Sequence, residues 1–266
     1  MTRPASRNIS VRVFSSAIAL AAISFATANI SAQTNSITKS HFPKNYKGTP
    51  FTDSHYKVGA QVIPGKVDCA AYDRGGEGIA YHDTEPQNQG SGMLNPADGS
   101  YLNEFRMHEG VDTSYTKFKI PKVQVDDNPY DLVQPPANQL YVGWTMPGEW
   151  FNLTVDVKEA GTYAADLLYT SNRGGSISVE LNGKQAAGDE TETTGPLTIP
   201  STFDKNEPVA WRQWHHWNML HDLVKLNLPA GKSVLTVHIL TEGQMNLAYF
   251  DFKPAKGHVE LVNGKK

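Results

Sequence analysis

The stretch from Tyr141 to Trp150 places two tryptophans on either side of a tight turn at Pro147-Gly148. Trp150 opens a run in which apolar and polar residues alternate as far as residue 157, a pattern typical of a half-buried strand. Trp150 therefore has a structural role. Trp144 precedes the turn, where no core residue is required, so its indole is a candidate flat apolar platform of the kind that fits a sugar ring.

A second cluster of chemically active side chains occupies residues 211–217, Trp-Arg-Gln-Trp-His-His-Trp. Alternate residues of an extended chain share a face, so we expect one face of this segment in the core. His215, His216 and His221 raise the hypothesis of a metal site. Their spacing matches no known site type, which favours polar loop residues beside an aromatic surface. Trp217 is a candidate extension of that surface.

Carboxylates are also available for catalysis. The candidates are Glu77, Asp83, Glu109, Asp112 and Glu149. A glycoside hydrolase needs two carboxyls about 5 to 10 Å apart across a cleft, which spacing in sequence cannot establish. The chain has no Gly-x-Ser-x-Gly, His-Glu-x-x-His or phosphate-loop motif. We therefore predict a non-catalytic binding protein. A secreted glycan-active enzyme (glycoside hydrolase or lyase) and a surface protein that binds a protein partner through an exposed aromatic patch remain the alternatives.

Residues 1–32 have the pattern of a secretory signal peptide. Three arginines precede an apolar run from about Val13 to Ala28, and small-residue cleavage patterns end at Ala28 and Ala32. An N-terminal membrane anchor is the alternative, although the run is near the lower length limit for a span. We expect a secreted or periplasmic protein without a membrane span.

Removal of residues 1–32 from the 266-residue chain leaves about 235 residues, enough for one domain. The formal net charge of −3 gives no indication of a nucleic-acid partner or an anionic membrane surface. Cys69 is the single cysteine, so no intramolecular disulfide can form. A lone cysteine in an apolar segment is most simply a small core residue, with a reactive thiol as the alternative.

The elements that must position these side chains are strands. Alternating or apolar runs predict strands at residues 67–72, 150–157, 161–169, 177–181, 224–228, 235–239 and 245–252. Asn182-Gly183 predicts a hairpin turn, and residues 82–140 are rich in loops. No helical periodicity is present. The sequence thus predicts an all-β jelly-roll sandwich at residues 62–254, after a leader or strap at 33–61 and before a tail at 255–266.

A set of short motifs occurs in a definite order between about Val62 and Pro254. The motifs are Asp73-Arg74-Gly75-Gly76-Glu77-Gly78-Ile79-Ala80-Tyr81-His82-Asp83-Thr84, Phe105-Arg106 with Glu109-Gly110-Val111-Asp112, Val142-Gly143-Trp144-Thr145 with Gly148-Glu149-Trp150, Ala160-Gly161-Thr162-Tyr163, Leu181-Asn182-Gly183, Trp211 with Trp214, Leu228-Pro229-Ala230-Gly231, and Asn246-Leu247 with Tyr249. Each motif alone is weak, but the ordered set resembles family 6 carbohydrate-binding modules.

This resemblance implies a galactose-binding-domain-like β-sandwich that binds a polysaccharide or oligosaccharide in loops at one end, and sometimes also on a concave sheet face. In the end-loop site of such modules, two aromatic residues clasp a sugar ring and an asparagine bonds its hydroxyls. By motif position these residues are Trp144, Trp211 and Asn246. A secreted hydrolase is a possible partner for a module of this kind.

The chain departs from the family pattern in three places. Ser114 stands where many members carry an acid that helps to bind hydroxyls. The first-strand Glu-Ala-Glu linked to a structural calcium reads Asp68-Cys69-Ala70, with one carboxylate fewer, which leaves Asp68 and Asp251 as candidate calcium ligands. The third departure is an insertion at Lys117–Leu140, which we expect to reshape or cover the binding site.

Overall fold

The computed structural model describes residues 42–120, 123–189, 192–241 and 243–255, all of them within one unit that spans Ser36–Lys266. The predicted signal peptide, the first part of the leader and the tail beyond residue 255 lie outside the described residues. No helix in the described ranges is long and apolar enough to cross a membrane. The helical elements there are short 3₁₀ turns at Cys69–Ala71, Lys184–Ala186 and Ala210–Arg212.

The predicted all-β sandwich is confirmed, since the described chain forms two six-stranded sheets. Strands are numbered in chain order. The first sheet contains β1 (Gln61–Ile63), β3 (Tyr81–His82), β10 (Trp150–Val157), β12 (Gly175–Leu181), β13 (Leu197–Ile199) and β15 (Gly231–Ile239). Its strand order is β1-β10-β15-β12-β13, with β3 also paired to β10.

The second sheet packs its inner face against the first. It contains β2 (Gly65–Asp68), β6 (Thr113–Tyr115), β9 (Leu140–Val142), β11 (Gly161–Ser171), β14 (Asn218–Leu228) and β16 (Met245–Pro254). Its order is β14-β11-β16-β9-β6, with β2 also paired to β16. From β10 to β12 and again from β14 to β16, successive strands alternate between the two sheets, as in a jelly roll.

Two small ribbons lie outside the main sheets. They are β4 (Ser91–Gly92) with β5 (Asn95–Pro96), and β7 (Lys119–Ile120) with β8 (Val123–Gln124). The first ribbon lies in the predicted loop-rich region, and the second begins the predicted insertion. Both carry residues towards the candidate site.

The main core lies between the sheets and is built by alternate apolar residues of the long strands. Leu153 of β10, Leu167 of β11 and Phe250 of β16 belong to one buried cluster. Two inward-facing sheet surfaces that bury such residues are the requirement for a sandwich. Cys69 joins this cluster, and burial raises the pKa of its thiol well above the ordinary value, as expected of a small core residue.

The prediction that β10 is half-buried is wrong. Its outward residues Asn152 and Thr154 are also buried. The Thr154 side chain donates a hydrogen bond to the Asp73 carboxylate at 2.7 Å, and the Tyr46 hydroxyl donates to the same carboxylate at 2.7 Å. The segment that carries Tyr46 therefore covers a face that alternation alone would leave in solvent.

The predicted hairpin at Asn182-Gly183 is also wrong. Asn182 does adopt a left-handed conformation, with φ of 46°. Its side-chain oxygen, however, accepts a hydrogen bond from the Val234 N–H at 2.7 Å, so the residue extends the pairing with β15. The chain then makes a 3₁₀ turn and returns along β12 from Glu192, whose carbonyl accepts the Leu181 N–H at 2.9 Å, as far as β13, which pairs with the beginning of β12.

Candidate ligand-binding cleft

A cleft of about 700 Å³ opens beside the β6–β9 edge of the second sheet. Three loops and the edge strands line it. The lining residues are Leu94, Asn95, Pro96, Asn103, Tyr115, Lys117, Phe118, Val125, Asp126, Asn138, Tyr141, Trp211 and His215. Aromatic rings, three side-chain amides and a lysine thus face one concavity. A large apolar surface with a few placed polar groups is the composition expected of a small-ligand site.

Trp211 lies at this cleft with 52% of its surface exposed. It lies on the 3₁₀ turn Ala210–Arg212, and the next residue, Arg212, is buried. The Arg212 guanidinium donates to both oxygens of the buried Glu207 carboxylate, at 2.9 and 2.8 Å, and also to the Gln124 carbonyl. The bidentate pair fixes the turn to the preceding loop, and the bond to Gln124 fixes it to the insertion, so together they hold Trp211 in place.

The electrostatics of Glu207 are consistent with this anchoring role. Burial by itself raises the pKa of a carboxyl group. The hydrogen bonds from Arg212 and from the Val209 N–H outweigh that effect and lower the pKa of Glu207 below its ordinary value. Glu207 is therefore a charged structural partner of Arg212 and not a proton donor.

Ser114 lies in the wall of the cleft and not on its surface. It is fully buried on β6, opposite Tyr141 of β9. Its hydroxyl accepts a hydrogen bond from the Asn95 side-chain amide at 3.1 Å and one from the Lys117 ammonium at 3.3 Å. Ser114 is a candidate positioning residue, because it orients two side chains that do face the cleft.

Trp217 requires a correction. Its indole is fully buried, with the Nε1–H donating to the Asp126 carboxylate at 2.9 Å, and it packs edge-on against Tyr141 with ring centroids 5.4 Å apart. A ring enclosed on both faces offers no surface to a sugar. The prediction that Trp217 extends the ligand platform is therefore wrong, and its role is to pack the outer face of the second sheet.

The insertion covers this outer face and also forms one wall of the cleft. The Leu132 and Val133 backbone N–H groups donate to the Trp217 carbonyl at 2.9 and 3.1 Å, which holds the insertion over the indole. Phe118 and Asn138, near the two ends of the insertion, line the cleft. The insertion thus contributes to the wall of this cleft and leaves it open, while its middle part covers the outer face of the sheet.

Trp144 lies outside the set of residues that line the cleft. It is half-buried and adopts φ of 49°, a left-handed conformation that bulky residues seldom take. Its indole lies over Gly90, where a methyl group added to the glycine would come within 3.1 Å of Trp144 Cζ3. Trp144 and Trp211 are therefore not brought together in one described cavity, and the predicted clasp of two tryptophans has only Trp211 at the cleft.

Asn246 is placed beside Trp144 but is buried on β16. Its amide NH₂ donates to the Thr170 hydroxyl at 2.9 Å, and its oxygen is buried against Gly143 without a partner among the described residues. The side chain is not open to a ligand in this conformation. The predicted contact between Asn246 and sugar hydroxyls is thus not available, because the strand places the amide on a covered face.

The candidate calcium ligands do not fit a metal ion. The Asp68 Oδ1 atom accepts a hydrogen bond from the Gln139 amide at 2.9 Å and pairs with the Lys66 ammonium at 3.1 Å, so two donors already occupy this oxygen. Asp251 is exposed and lies opposite Lys66 in the strand pairing. Within the described ranges, no three His, Cys, Asp or Glu side chains are grouped to hold a metal.

The three histidines of the sequence cluster have separate surroundings. The His216 ring bonds to the Thr202 carbonyl at 2.8 Å, and the exposed His221 ring bonds to the Asp166 carboxylate at 2.9 Å. His215 alone lines the cleft, where its ring contacts Trp214 with centroids 4.1 Å apart. Their dispersal favours the interpretation as individual polar residues over a shared metal site.

The candidate catalytic carboxylates also lie elsewhere, because none of the five lines the cleft. Burial raises the pKa of Asp112 to about 7 and that of Asp83 to about 7, and repulsion from neighbouring carboxylates adds to both shifts. Glu149 accepts hydrogen bonds from the Thr84 hydroxyl and the Met146 N–H, both at 2.7 Å. These contacts connect loops at the end of the sandwich and give Glu149 a structural role.

Trp150 begins β10, as predicted, and pairs with His82 and His238 in the first sheet. It also lines a second, smaller cavity of about 310 Å³ together with Lys47 and Lys184. That cavity is at a different place in the fold from the cleft of Trp211.

Comparison with known proteins gives weak similarities. No family model matches the chain, and no curated protein matches it. Among solved structures, a family 6 carbohydrate-binding module from Clostridium cellulolyticum, in complex with xylose, is 13% identical with a TM-score of 0.40; the match covers 73% of this chain and 99% of the module. A carbohydrate-binding module of Cellvibrio mixtus lichenase 5A, in complex with cellotriose, is 22% identical with a TM-score of 0.33 and covers 44% and 78% of the two chains.

The C-terminal family 6 module of a marine laminarinase from Zobellia galactanivorans is 20% identical with a TM-score of 0.34, and the match covers 44% of this chain and 81% of the module. A family 35 module from Clostridium thermocellum is similar at the same level, with 18% identity and a TM-score of 0.32. Structures similar to this chain at this level thus include carbohydrate-binding modules of families 6 and 35.

Proposed function

We propose that this protein is an exported, non-catalytic module that binds a polysaccharide or oligosaccharide in the cleft beside β6 and β9. The observation that carries the proposal is the cleft itself, where the exposed indole of Trp211 stands over a concavity lined by amides and aromatic rings. A sugar ring has an apolar C–H face and a rim of hydroxyls. Such a ligand needs a flat apolar surface and a few oriented donors and acceptors.

The chemistry of the wall supports a polar ligand. Asn95, Asn103 and Asn138 line the cleft. Asn95 already bonds to Ser114 and Lys117, and Asn103 to Asp98 and Tyr115. Each of these two amides keeps a second N–H and a second lone pair for a ligand. The ring of Tyr115 gives further apolar surface at the same place. Trp144 remains a candidate for a second contact on the end loops, separate from the cleft. The signal-peptide pattern of residues 1–32 supports export.

The test is a panel of insoluble and soluble polysaccharides incubated with the purified protein, with bound protein and released reducing ends measured in the same tubes. We expect retention on at least one polysaccharide without release of reducing ends. Release of reducing ends that grows with protein concentration would favour the enzyme alternative. Retention on none of the polysaccharides would contradict the proposal.

Addition of a soluble oligosaccharide distinguishes glycan binding from the binding of a protein partner by the same aromatic surface. A soluble oligosaccharide that occupies the cleft should quench the fluorescence of Trp211 and raise the melting temperature, because a ligand that binds only the folded state stabilises it. If the aromatic surface binds a protein partner instead, the oligosaccharide should change neither the fluorescence nor the melting temperature.

A further inference from the structure

Lys117 is the feature of the cleft that sequence motifs leave unexplained. It follows β6 at the beginning of the insertion, and its side chain is half-buried in the cleft wall. Its ammonium donates to the Asn95 side-chain oxygen at 2.7 Å and to the Ser114 hydroxyl at 3.3 Å, and it lies 4.3 Å from the centroid of the Tyr115 ring. An ammonium has three N–H donors. Two have acceptors among the described residues, so a third remains for a ligand.

The positive charge of Lys117 has no exposed counter-charge in the cleft. Asp126 is the one carboxylate among the described lining residues, and it is almost completely buried. One of its oxygens accepts the Trp217 indole N–H at 2.9 Å, and the other accepts the Lys117 backbone N–H at 2.7 Å. Burial lowers the pKa of the Lys117 ammonium, and Asp126 only partly offsets this effect. An anionic group on a ligand would offset the desolvation cost of the Lys117 ammonium, because it would pair directly with that charge.

His215 lies beside Asp126 in the wall of the cleft. The Nδ1 atom of His215 is buried, lies 3.8 Å from the Asp126 carboxylate, and has no hydrogen-bond partner among the described residues. His215 Nδ1 and the Asp126 carboxylate are thus both turned into the wall, and the Lys117 ammonium is the oriented cation that lines the cleft. This arrangement suits a ligand that brings negative charge.

We propose that the cleft selects glycans that carry an anionic group, a uronic-acid carboxylate or a sulfate ester, and that Lys117 binds this group while Trp211 contacts a sugar ring. This inference rests on the proposed function and names its ligand class. Charge-assisted hydrogen bonds to a carboxylate or sulfate are about twice as strong as neutral ones, so the anionic group would dominate selectivity.

The experiment measures the affinity of the wild-type protein for three classes of soluble glycan: neutral, uronic-acid-bearing and sulfated. We expect binding to at least one anionic class to exceed binding to neutral glycans by about 10-fold. Added NaCl should weaken only the anionic binding, because salt screens charge pairs. Comparison of the uronic-acid and sulfated arms decides which anion is preferred.

Three variants test whether Lys117 is responsible for the preference for anionic glycans. Lys117→Met should abolish the preference for anionic glycans, and Lys117→Arg should keep most of it. Lys225→Met is the matched control, because Lys225 is exposed on β14 outside the cleft and the substitution changes the net charge equally. If Lys117→Met fails to fold, the ligand can be changed instead: reduction of the uronic-acid carboxyls to alcohols should remove the preference in the wild-type protein.

The outcomes separate the two proposals. Equal affinity for neutral and anionic glycans, with Lys117→Met unchanged, would overturn the inference and leave glycan binding intact. The same would follow if Lys225→Met reduced anionic binding as much as Lys117→Met, since the effect would then be one of net charge. Binding to none of the three classes would overturn both the inference and the proposed function.

Discussion

Replacement of Trp211 by alanine is the most direct perturbation of the proposed site. Because 52% of the residue is exposed and a tryptophan side chain offers roughly 250 Å², Trp211 presents about 130 Å² to a ligand. At roughly 25 cal/mol per Å², covering half of this area contributes about 1.6 kcal/mol, and covering all of it contributes about 3 kcal/mol. A tenfold change in Kd corresponds to about 1.4 kcal/mol. We therefore expect Trp211→Ala to weaken glycan binding about 10- to 100-fold.

The stability of the Trp211→Ala variant should change little in comparison. The anchor of the 3₁₀ turn is the pair formed by Arg212 and Glu207, which the substitution leaves intact. We expect the melting temperature to fall by less than about 4 °C. Isothermal titration calorimetry with a glycan identified by the polysaccharide panel measures the affinity, and thermal unfolding followed by circular dichroism measures the stability.

Phe203 provides a matched control for Trp211→Ala. It is an aromatic residue with 48% of its surface exposed, and it does not line the cleft. Phe203→Ala should bind glycan like the wild-type protein. An unchanged affinity of Trp211→Ala would refute the assignment of the platform. An equal loss of glycan affinity in Trp211→Ala and Phe203→Ala would show that the loss is not specific to the cleft.

Three further predictions follow from the buried and polar groups of the sandwich. Trp217→Ala should lower the free energy of unfolding by about 3–5 kcal/mol in chemical denaturation, as for other buried aromatic residues; a change similar to that of Trp211→Ala would show that its indole is not core. The pKa of Asp112 is raised to about 7, above the ordinary value of about 3.9, so its contribution to stability falls as pH rises between these two values. Asp112→Asn keeps the acceptor for the Gln89 N–H and removes the charge. Because the carboxyl group is ionised at pH 8 and protonated at pH 3, the substitution should raise the melting temperature at pH 8 but not at pH 3. An unchanged or lower melting temperature at pH 8 would contradict the burial of an ionised carboxylate. Because Asp68 is occupied by Lys66 and Gln139 donors, EDTA should leave the melting temperature unchanged, whereas a loss that calcium restores would show a metal site.

The long strands show how much of the fold the alternation of apolar and polar residues predicts. The run of alternating residues from Trp150 to Val157 predicts β10 with both boundaries correct. The later long strands extend beyond their predicted ends, by six residues at the start of β14. Alternation works here because successive side chains of a strand point to opposite faces. It does not indicate what covers the second face. Thr154 is covered by Asp73, and the Asn152 amide bonds to the carbonyls of Ile79 and Gln185. These partners lie 33 to 81 residues away in the chain, so the alternation within β10 cannot predict them.

The sequence predicts less of the candidate site than of the strands. The family motif predicts Trp211 as a ligand residue, and Trp211 lies at a cleft. The motifs indicate Lys117 only as the first residue of an insertion, although a lysine beside aromatic residues is itself a signal in the sequence. Asn246 occupies its motif position on β16, yet its side chain is covered. A motif therefore locates a residue on the backbone better than it predicts the exposure of the side chain.

The sequence by itself determined the all-β class, the positions of the long strands and the candidate aromatic residues, because strand formation follows from short-range alternation and turn residues. The tertiary structure decided which tryptophan can meet a ligand. Trp217 is buried because its indole bonds to Asp126, 91 residues earlier in the chain, while Trp211, six residues before Trp217, remains open. Exposure depends on the packing of distant segments, so two tryptophans in one short cluster acquire opposite roles.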